Sequence, residues 1–370
     1  MRRHWKVVFA FAACAAACVA SRTAAAAPMD PTPERFYQQP SGAPAGSNCQ
    51  VFSNSTSYVA CNPNNVSWSN LMSELGYAIA PSAFHPARTT GLGGFALSFE
   101  ASFAKINADA TDSTGTQYWH TGTRGDVNPN TNGFSGVNKY PDSILQIYSV
   151  KARKGLPFGL EIAGVLGYVG NTSLWLGGAD LHWAVLEGFR TGILGYLPDI
   201  AFGGGVRTVG GADTFFLTTV GIDGQISKPL TLGDSAVLTP YVGGQRLLIF
   251  ADSTVVNLAP GIDPLQACGY QGNNVPGNPN VPSGGLNGAY TGAAVCKNPN
   301  GTNTFNNLTT FTRARMQRWR GIAGLTYKYE ILYLAGQFAM DLEDPSVENG
   351  NLGVSGAKQW TMSFEAGVAF

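Results

Sequence analysis

Side-chain alternation with a period of two constrains this chain more than any other feature, and it is cleanest at the C-terminus. Over Lys358 to Phe370, Trp360, Met362, Phe364, Ala366, Val368 and Phe370 share one face of an extended strand, and Thr361, Ser363, Glu365, Gly367 and Ala369 share the other, because successive strand side chains point to opposite faces. One face is apolar and the other small and polar. The pattern recurs upstream: Phe95, Leu97, Phe99, Ala101 and Phe103 alternate with Ser98, Glu100 and Ser102, and Leu332, Leu334, Phe338 and Met340 oppose Tyr333, Gln337 and Asp341. Strands are predicted over residues 94–105, 143–153, 158–169, 174–187, 199–208, 214–227, 236–252, 310–327, 331–342 and 358–370. In the seventh, Pro240, Gly243 and Gly244 predict a bulge or edge irregularity.

No run of eighteen or more apolar residues follows the N-terminal region, yet 44% of the chain is hydrophobic and only 12% is charged; a soluble domain carries roughly twice that charge. Alternating strands with one apolar face and little charge fit a sheet closed on itself, with hydrocarbon outside. The expected fold is therefore all-β: a closed antiparallel transmembrane β-barrel of about ten strands, with eight to twelve open, preceded by a short helix. The bulky terminal Phe370 closing the last strand resembles the end signal of Gram-negative outer-membrane β-barrels. That resemblance implies that Phe370 is the assembly signal read by the barrel-assembly machinery, that outer-membrane lipid is the surrounding solvent, and that the N-terminus is periplasmic. The long insertions near 107–142, 253–308 and 343–357 follow strands one, seven and nine, so all three would fall on the extracellular side, while connections on the other side stay short.

The first residues read as a secretory signal peptide over 1–26: Arg2, Arg3 and Lys6, then an apolar core from Val7 to Ala20, then the Ala24–Ala27 cleavage run. Its removal takes Arg2, Arg3, Lys6 and Arg22 and no acidic residue from a chain with 23 of each sign. The mature chain is then mildly acidic, and nothing in it asks for nucleic acid. Cys49, Cys61, Cys268 and Cys296 remain, an even number in an exported chain, and proximity favours Cys49–Cys61 and Cys268–Cys296 without excluding other pairings. No Cys/His spacing suggests a metal, and no cofactor is expected. Residues 27–90 form a Pro/Ser/Asn-rich segment ahead of the barrel at 91–370. Within it, Trp68, Leu71, Met72, Leu75 and Ile79 repeat with helical spacing, which predicts a helix over Ser67 to Ala80 with Ser67 or Ser69 as N-cap and Pro81 as stop. Such a helix either plugs the lumen or shields the periplasmic mouth.

The strand phases send Glu100, Glu161, Asp180, His182, Arg207, Asp223, Gln225, Gln337, Asp341 and Glu365 into the lumen. Arg313, Arg315, Arg318 and Arg320 crowd the outer half of strand eight, and Arg318 and Arg320 join the lumen set. Charges facing across a narrow bore suit a passage for small polar solutes, the function expected here. The alternatives are a closed barrel with a structural or surface-interaction role, its charges paired across the interior, and import of a hydrophobic molecule, since the helix-bearing N-terminal segment resembles the plug of long-chain fatty-acid transporters. Asp180 and His182, two apart on one face, resemble the inward Asp and His of the ten-stranded omptin proteases. Here they sit in mid-strand with no matching Asp-x-Asp pair, and there is no G-x-S-x-G, so the chain is not expected to be an enzyme.

Overall fold

The computed structural model describes residues 27–38, 61–83, 86–128, 133–134, 137–188, 197–233, 235–258 and 308–370. Ten strands form the wall: β1 (Phe95–Lys105), β2 (Ile144–Gly155), β3 (Leu160–Val169), β4 (Trp175–Leu186), β5 (Asp199–Gly210), β6 (Phe215–Ser227), β7 (Ala236–Ser253), β8 (Ala314–Tyr329), β9 (Leu332–Asp341) and β10 (Trp360–Ala369). Each pairs antiparallel with its sequence neighbours, and β10 returns to β1 with Glu365 opposite Glu100. Among the described residues the ring of ten strands therefore has no free edge, as a hydrocarbon-embedded sheet requires. The seam includes the last residue: Phe370 donates its N–H to the Phe95 carbonyl at 2.8 Å and accepts from the Phe95 N–H at 3.1 Å.

The alternation predicted from the sequence holds around the ring. Phe99, Trp175, Leu181, Trp183, Phe216, Ile222, Phe338 and Phe364 are exposed on the outside, and the small, polar and charged partners are buried within. Strand seven departs from expectation. β7 runs 18 residues in unbroken register with β8 through Pro240, Gly243 and Gly244. The Pro240 carbonyl accepts from Lys228 N, so its nitrogen, which lacks a proton, faces the same way, where β6 has just ended and no ladder donor is needed. The one wall irregularity among the described residues lies between β4 and β5 at Ala184 and Leu186. On β8, Arg318 and Arg320 turn inward, whereas Arg313 and Arg315, on the opposite parity, are exposed.

Inside the ring stands α1 (Asn65–Ala78). It starts two residues earlier than predicted because Asn64, not Ser67 or Ser69, is the N-cap, its side chain accepting from Ser67 N at 3.2 Å. Its N-terminal end packs at the rim that carries the long insertions, where Trp68 stacks on Phe311 (centroids 5.0 Å apart) and meets Phe215 edge-on at 6.1 Å. Leu71, Met72 and Leu75 continue into a buried cluster with Leu145, Ile147, Leu176, Leu217, Ile249 and Met316 from the wall. The helix lies so close to β7 that a side chain at Gly76 would overlap Ile249.

The segment ahead of α1 sits at the same rim. Met29 N donates to the Asn171 carbonyl, Thr32 N to that of Gly122, and Arg35 to that of Thr123. Residues 27–38 thus lie at the end of the barrel opposite Phe370. The described N-terminal residues therefore sit at the long-loop rim, and Gly93 and Gly94 lead into β1 at the other. Residues 1–26, Cys49, Cys268, Cys296 and most of the 253–308 insertion fall outside the described residues; Cys61 is buried. Removing the Trp68 side chain is expected to cost about 3–5 kcal/mol, as for other buried aromatics cut to Ala. Trp68→Phe, which keeps a stacking ring and loses an indole N–H with no hydrogen-bond partner among the described residues, costs far less. Urea unfolding of the two variants in lipid vesicles, followed by tryptophan fluorescence, checks this order.

Candidate functional site

Beyond Ile79 the described residues, 80–83 and 86–94, belong to no helix or strand and lead to the Phe370 rim. A backbone buried there without a ladder must find other partners, and the inward side chains of the wall supply them. Arg320 donates to the Pro81 carbonyl, joined by Gln245 Nε2 at 3.3 Å. Ala87 N donates to Ser227 Oγ (2.9 Å), Thr89 N to Glu187 Oε2 (2.9 Å) and Thr90 N to Glu161 Oε2 (2.8 Å). The side chains of the segment join in: Ser82 Oγ donates to Glu100 Oε2 at 3.0 Å and accepts from Lys151 Nζ at 3.3 Å, and Arg88 Nε meets Asp199 at 2.8 Å.

Around this segment the predicted lumen residues form paired groups. At the C-terminal end of α1, Arg318 is bound to Asp341 and Gln359 and reaches the Ser73 carbonyl at 3.3 Å. Its guanidinium lies 4.4 Å from the centre of the Tyr77 ring, with Arg320 5.6 Å from the same ring. Two cations therefore face the carbonyl end of the helix, where its dipole favours them. Arg207 grips Asp180 through two bonds of 2.6 and 2.9 Å, the fork geometry that makes such pairs strong. Lower down, Lys151 stands 3.1 Å from Glu100 and 4.0 Å from Glu365, and Arg153 lies 3.6 Å from Glu161 and 3.7 Å from Glu365. Tyr333 donates to Glu365 at 2.6 Å, and Tyr241 to Gln337 at 3.3 Å. His182 is opposite Glu161 in the β3–β4 register. Asp223 accepts from Gln245 at 3.3 Å, and Gln225 is buried beside it on β6.

These groups are dry. Lys151 is 0% exposed, Arg318 1%, Glu161 1%, Arg320 2% and Glu365 2%; side chains lining an aqueous bore would keep accessible surface. Asp180, His182, Asp223 and Ser82 border a void of about 10 Å³, room for a single water. Above the charged zone, Glu74 of α1 accepts from Tyr118 Oη, Trp119 Nε1 and both nitrogens of Asn107 at 2.7–2.8 Å. Burial first, and the Glu74 charge second, push the Tyr118 phenol far above its usual range, so it remains a donor. All the lumen candidates point inward, as their parity requires. Sequence reasoning missed Lys151, Arg153, Gln245, Tyr241 and Tyr77 as members of this group. Carrying the β7 alternation straight through Pro240 would have turned Tyr241 and Gln245 inward. For Tyr77 the helical pattern pointed elsewhere, because α1 is buried on every side.

No family model matches this chain, and no curated protein matches it. Among solved structures it is similar to the attachment invasion locus protein Ail of Yersinia pestis (10% identity, 75% of this chain and 99% of that one, TM-score 0.24). It is also similar to the outer membrane protease OmpT from Escherichia coli (8% identity, 75% and 96%, TM-score 0.29) and to the outer membrane protein Omp33 of Acinetobacter baumannii (6% identity, 76% and 100%, TM-score 0.23).

Breaking one side of the Arg318–Asp341 pair strands a buried charge, so Arg318→Ala is expected to lose about 3–5 kcal/mol of stability, whereas Arg318→Met combined with Asp341→Leu loses much less. Equilibrium unfolding of wild type, single and double variants measures the difference. On its own strand ladder and apolar exterior, the chain has the fold of an outer-membrane β-barrel, closed by ten strands and filled by its own N-terminal segment.

Proposed function

We propose that this protein is a sealed outer-membrane barrel, and that it acts at the rim bearing the long insertions through contacts with molecules outside the bore. The observation that supports this reading is the dry, paired interior. Lys151, Arg318, Arg320 and Glu161 hold Ser82, Ser73, Pro81 and Thr90 in place, Glu365 is taken up by Lys151, Arg153 and Tyr333 of the wall, and the apolar cluster around Trp68 and Leu71 excludes water from the other half of the bore. In this reading the signal peptide is cut after Ala26, Phe370 presents the finished chain to the assembly machinery, and the cysteines pair as Cys49–Cys61 and Cys268–Cys296, connectivities that peptide mapping without reductant would read directly. Asp180 and His182 serve plug packing, so His182→Ala is expected to leave peptide and lipid turnover at the level of an empty vesicle.

Passage of a small polar solute is the second reading. It is favoured by the charged character of the lower plug contact: with residues 80–94 withdrawn, Arg207, Arg320 and Lys151 would face Asp180, Asp223, Glu100 and Glu365 across open water. Planar bilayers separate the two. The sealed reading expects wild type to show no steady conductance at any applied voltage, and a chain lacking residues 28–90 to show steady openings. Steady wild-type openings that change when Arg318 or Arg320 is neutralised would establish the passage instead.

A further inference from the structure

The outside of the barrel is not uniform. On β9 and β10 most outward residues are bulky, among them Leu334, Phe338, Met340, Met362 and Phe364, with Gly336 and Ala366 between them. On β2 to β5 the corresponding outward positions include Ala152, Gly164, Ala179 and Gly204. The wall is hollowed there into an open groove of about 1000 Å³, flanked by Ile162, Leu181, Trp183, Phe202 and Ile222, with Phe95 and Lys154 at one end.

The strand registers give the groove a direction. Phe95 is opposite Lys154, Lys154 opposite Ile162, Ile162 opposite Leu181, Leu181 opposite Gly204 and Gly204 opposite Ile222. That row begins at the Phe370 rim, where β1 starts and β2 ends. It finishes in the body of β6, five residues short of the strand end at Ser227. The groove therefore climbs from the membrane surface into the hydrocarbon. A cation marks its surface end. Lys154 Nζ gives one hydrogen to the Gly93 carbonyl at 2.6 Å and, as an ammonium with three donors, keeps two for another acceptor.

We propose that this groove is a binding site for one phospholipid, with an acyl chain laid over Ala152, Gly164, Ala179 and Gly204 and the phosphate on Lys154. Water in a hollow walled by Trp183, Phe202 and Leu181 would lose hydrogen bonds, so hydrocarbon fills it. An acyl chain that leaves the groove at a surface lysine carries its anionic headgroup to that charge.

The test is native mass spectrometry of the full mature barrel in detergent, titrated with phosphatidylglycerol. Wild type is expected to retain one lipid. A Cβ at Gly164 meets nothing within 4 Å, so Gly164→Leu fills the groove without disturbing the wall and is expected to weaken retention about tenfold or more. Lys154→Glu is expected to weaken it as well. Gly336→Leu, which puts the same bulk on the opposite sector where a Cβ touches only Phe364 at 3.9 Å, is expected to bind as wild type does. Heat-modified gel mobility shows which variants are folded, and Ala179→Leu replaces Gly164→Leu should the latter fail. Equal retention by the groove-filled and wild-type barrels, loss in Gly336→Leu as well, or a wild-type dimer that Gly164→Leu dissolves would each overturn the site, the last by assigning the groove to a second copy of the chain.

Discussion

The structure depends on a mismatch of volumes. Side chains fill the bore of a barrel of about eight strands unaided, and one of about sixteen opens into a channel. Ten strands enclose more than their inward residues can occupy. Here the surplus is taken up by a helix, an object about 10 Å across with its side chains, and then by the segment that leads from it to β1. Several features that look independent follow from that: the burial of α1 on every side, the closeness of Gly76 to Ile249, and the small inward residues Ala96, Ala104, Ala163 and Ala201 along the wall.

The filler has two parts, and their chemistry differs for a physical reason. A helix satisfies its own backbone, so its contacts can be apolar, and around Trp68, Leu71 and Leu75 they are. Residues 81–83 and 86–92, outside any helix or ladder, cannot satisfy theirs in that way. Their amide and carbonyl groups would be buried without partners at a cost of about 1–3 kcal/mol each, and carboxylates, guanidinium groups and hydroxyls reach in from the wall to meet them. Those charges must then neutralise one another, which accounts for pairs such as Lys151 with Glu100 and Arg207 with Asp180. Charge in this lumen is a consequence of threading an unladdered chain through it, and it does not by itself signal a passage.

That distinction marks where the sequence stops being legible. Period two tells which face each side chain takes, so the strands, the separate fates of Arg313 and Arg318, and the inward course of Glu100, Asp223 and Asp341 were all readable. It does not tell what the inward face meets. Water, an opposing wall and a threaded segment ask for the same polar residues, so the rim from which the N-terminal segment enters was not written in any strand. Pro240 is tolerated inside β7 because β6 ends beside it, a tertiary fact that β7's own residues do not carry. The cap is likewise not marked by the apolar run: the orphan N–H groups of a helix are met from the residue before its first turn, here Asn64, ahead of that run's polar flank.

Connectivity gives the plug its permanence. Residues 27–38 are tied to the long-loop rim through Asn171, Gly122 and Thr123, while Gly93 and Gly94 bond to Gly155 at the other rim and lead directly into β1. The intervening chain is therefore anchored at both ends of the bore and continuous with one side of the seam. When β10 pairs with β1, ending on the Phe95–Phe370 bonds, the ring closes around a segment that is already part of it. To withdraw residues 80–94 without opening the seam, the chain must give up the Arg320, Glu187 and Glu161 contacts together while its C-terminal end stays fixed at Gly94. Slack can come only from the long-loop rim, and that requires α1 to leave the apolar cluster first. The charged half of the plug is thus held as much by Trp68 and Leu71 above it as by its own ion pairs.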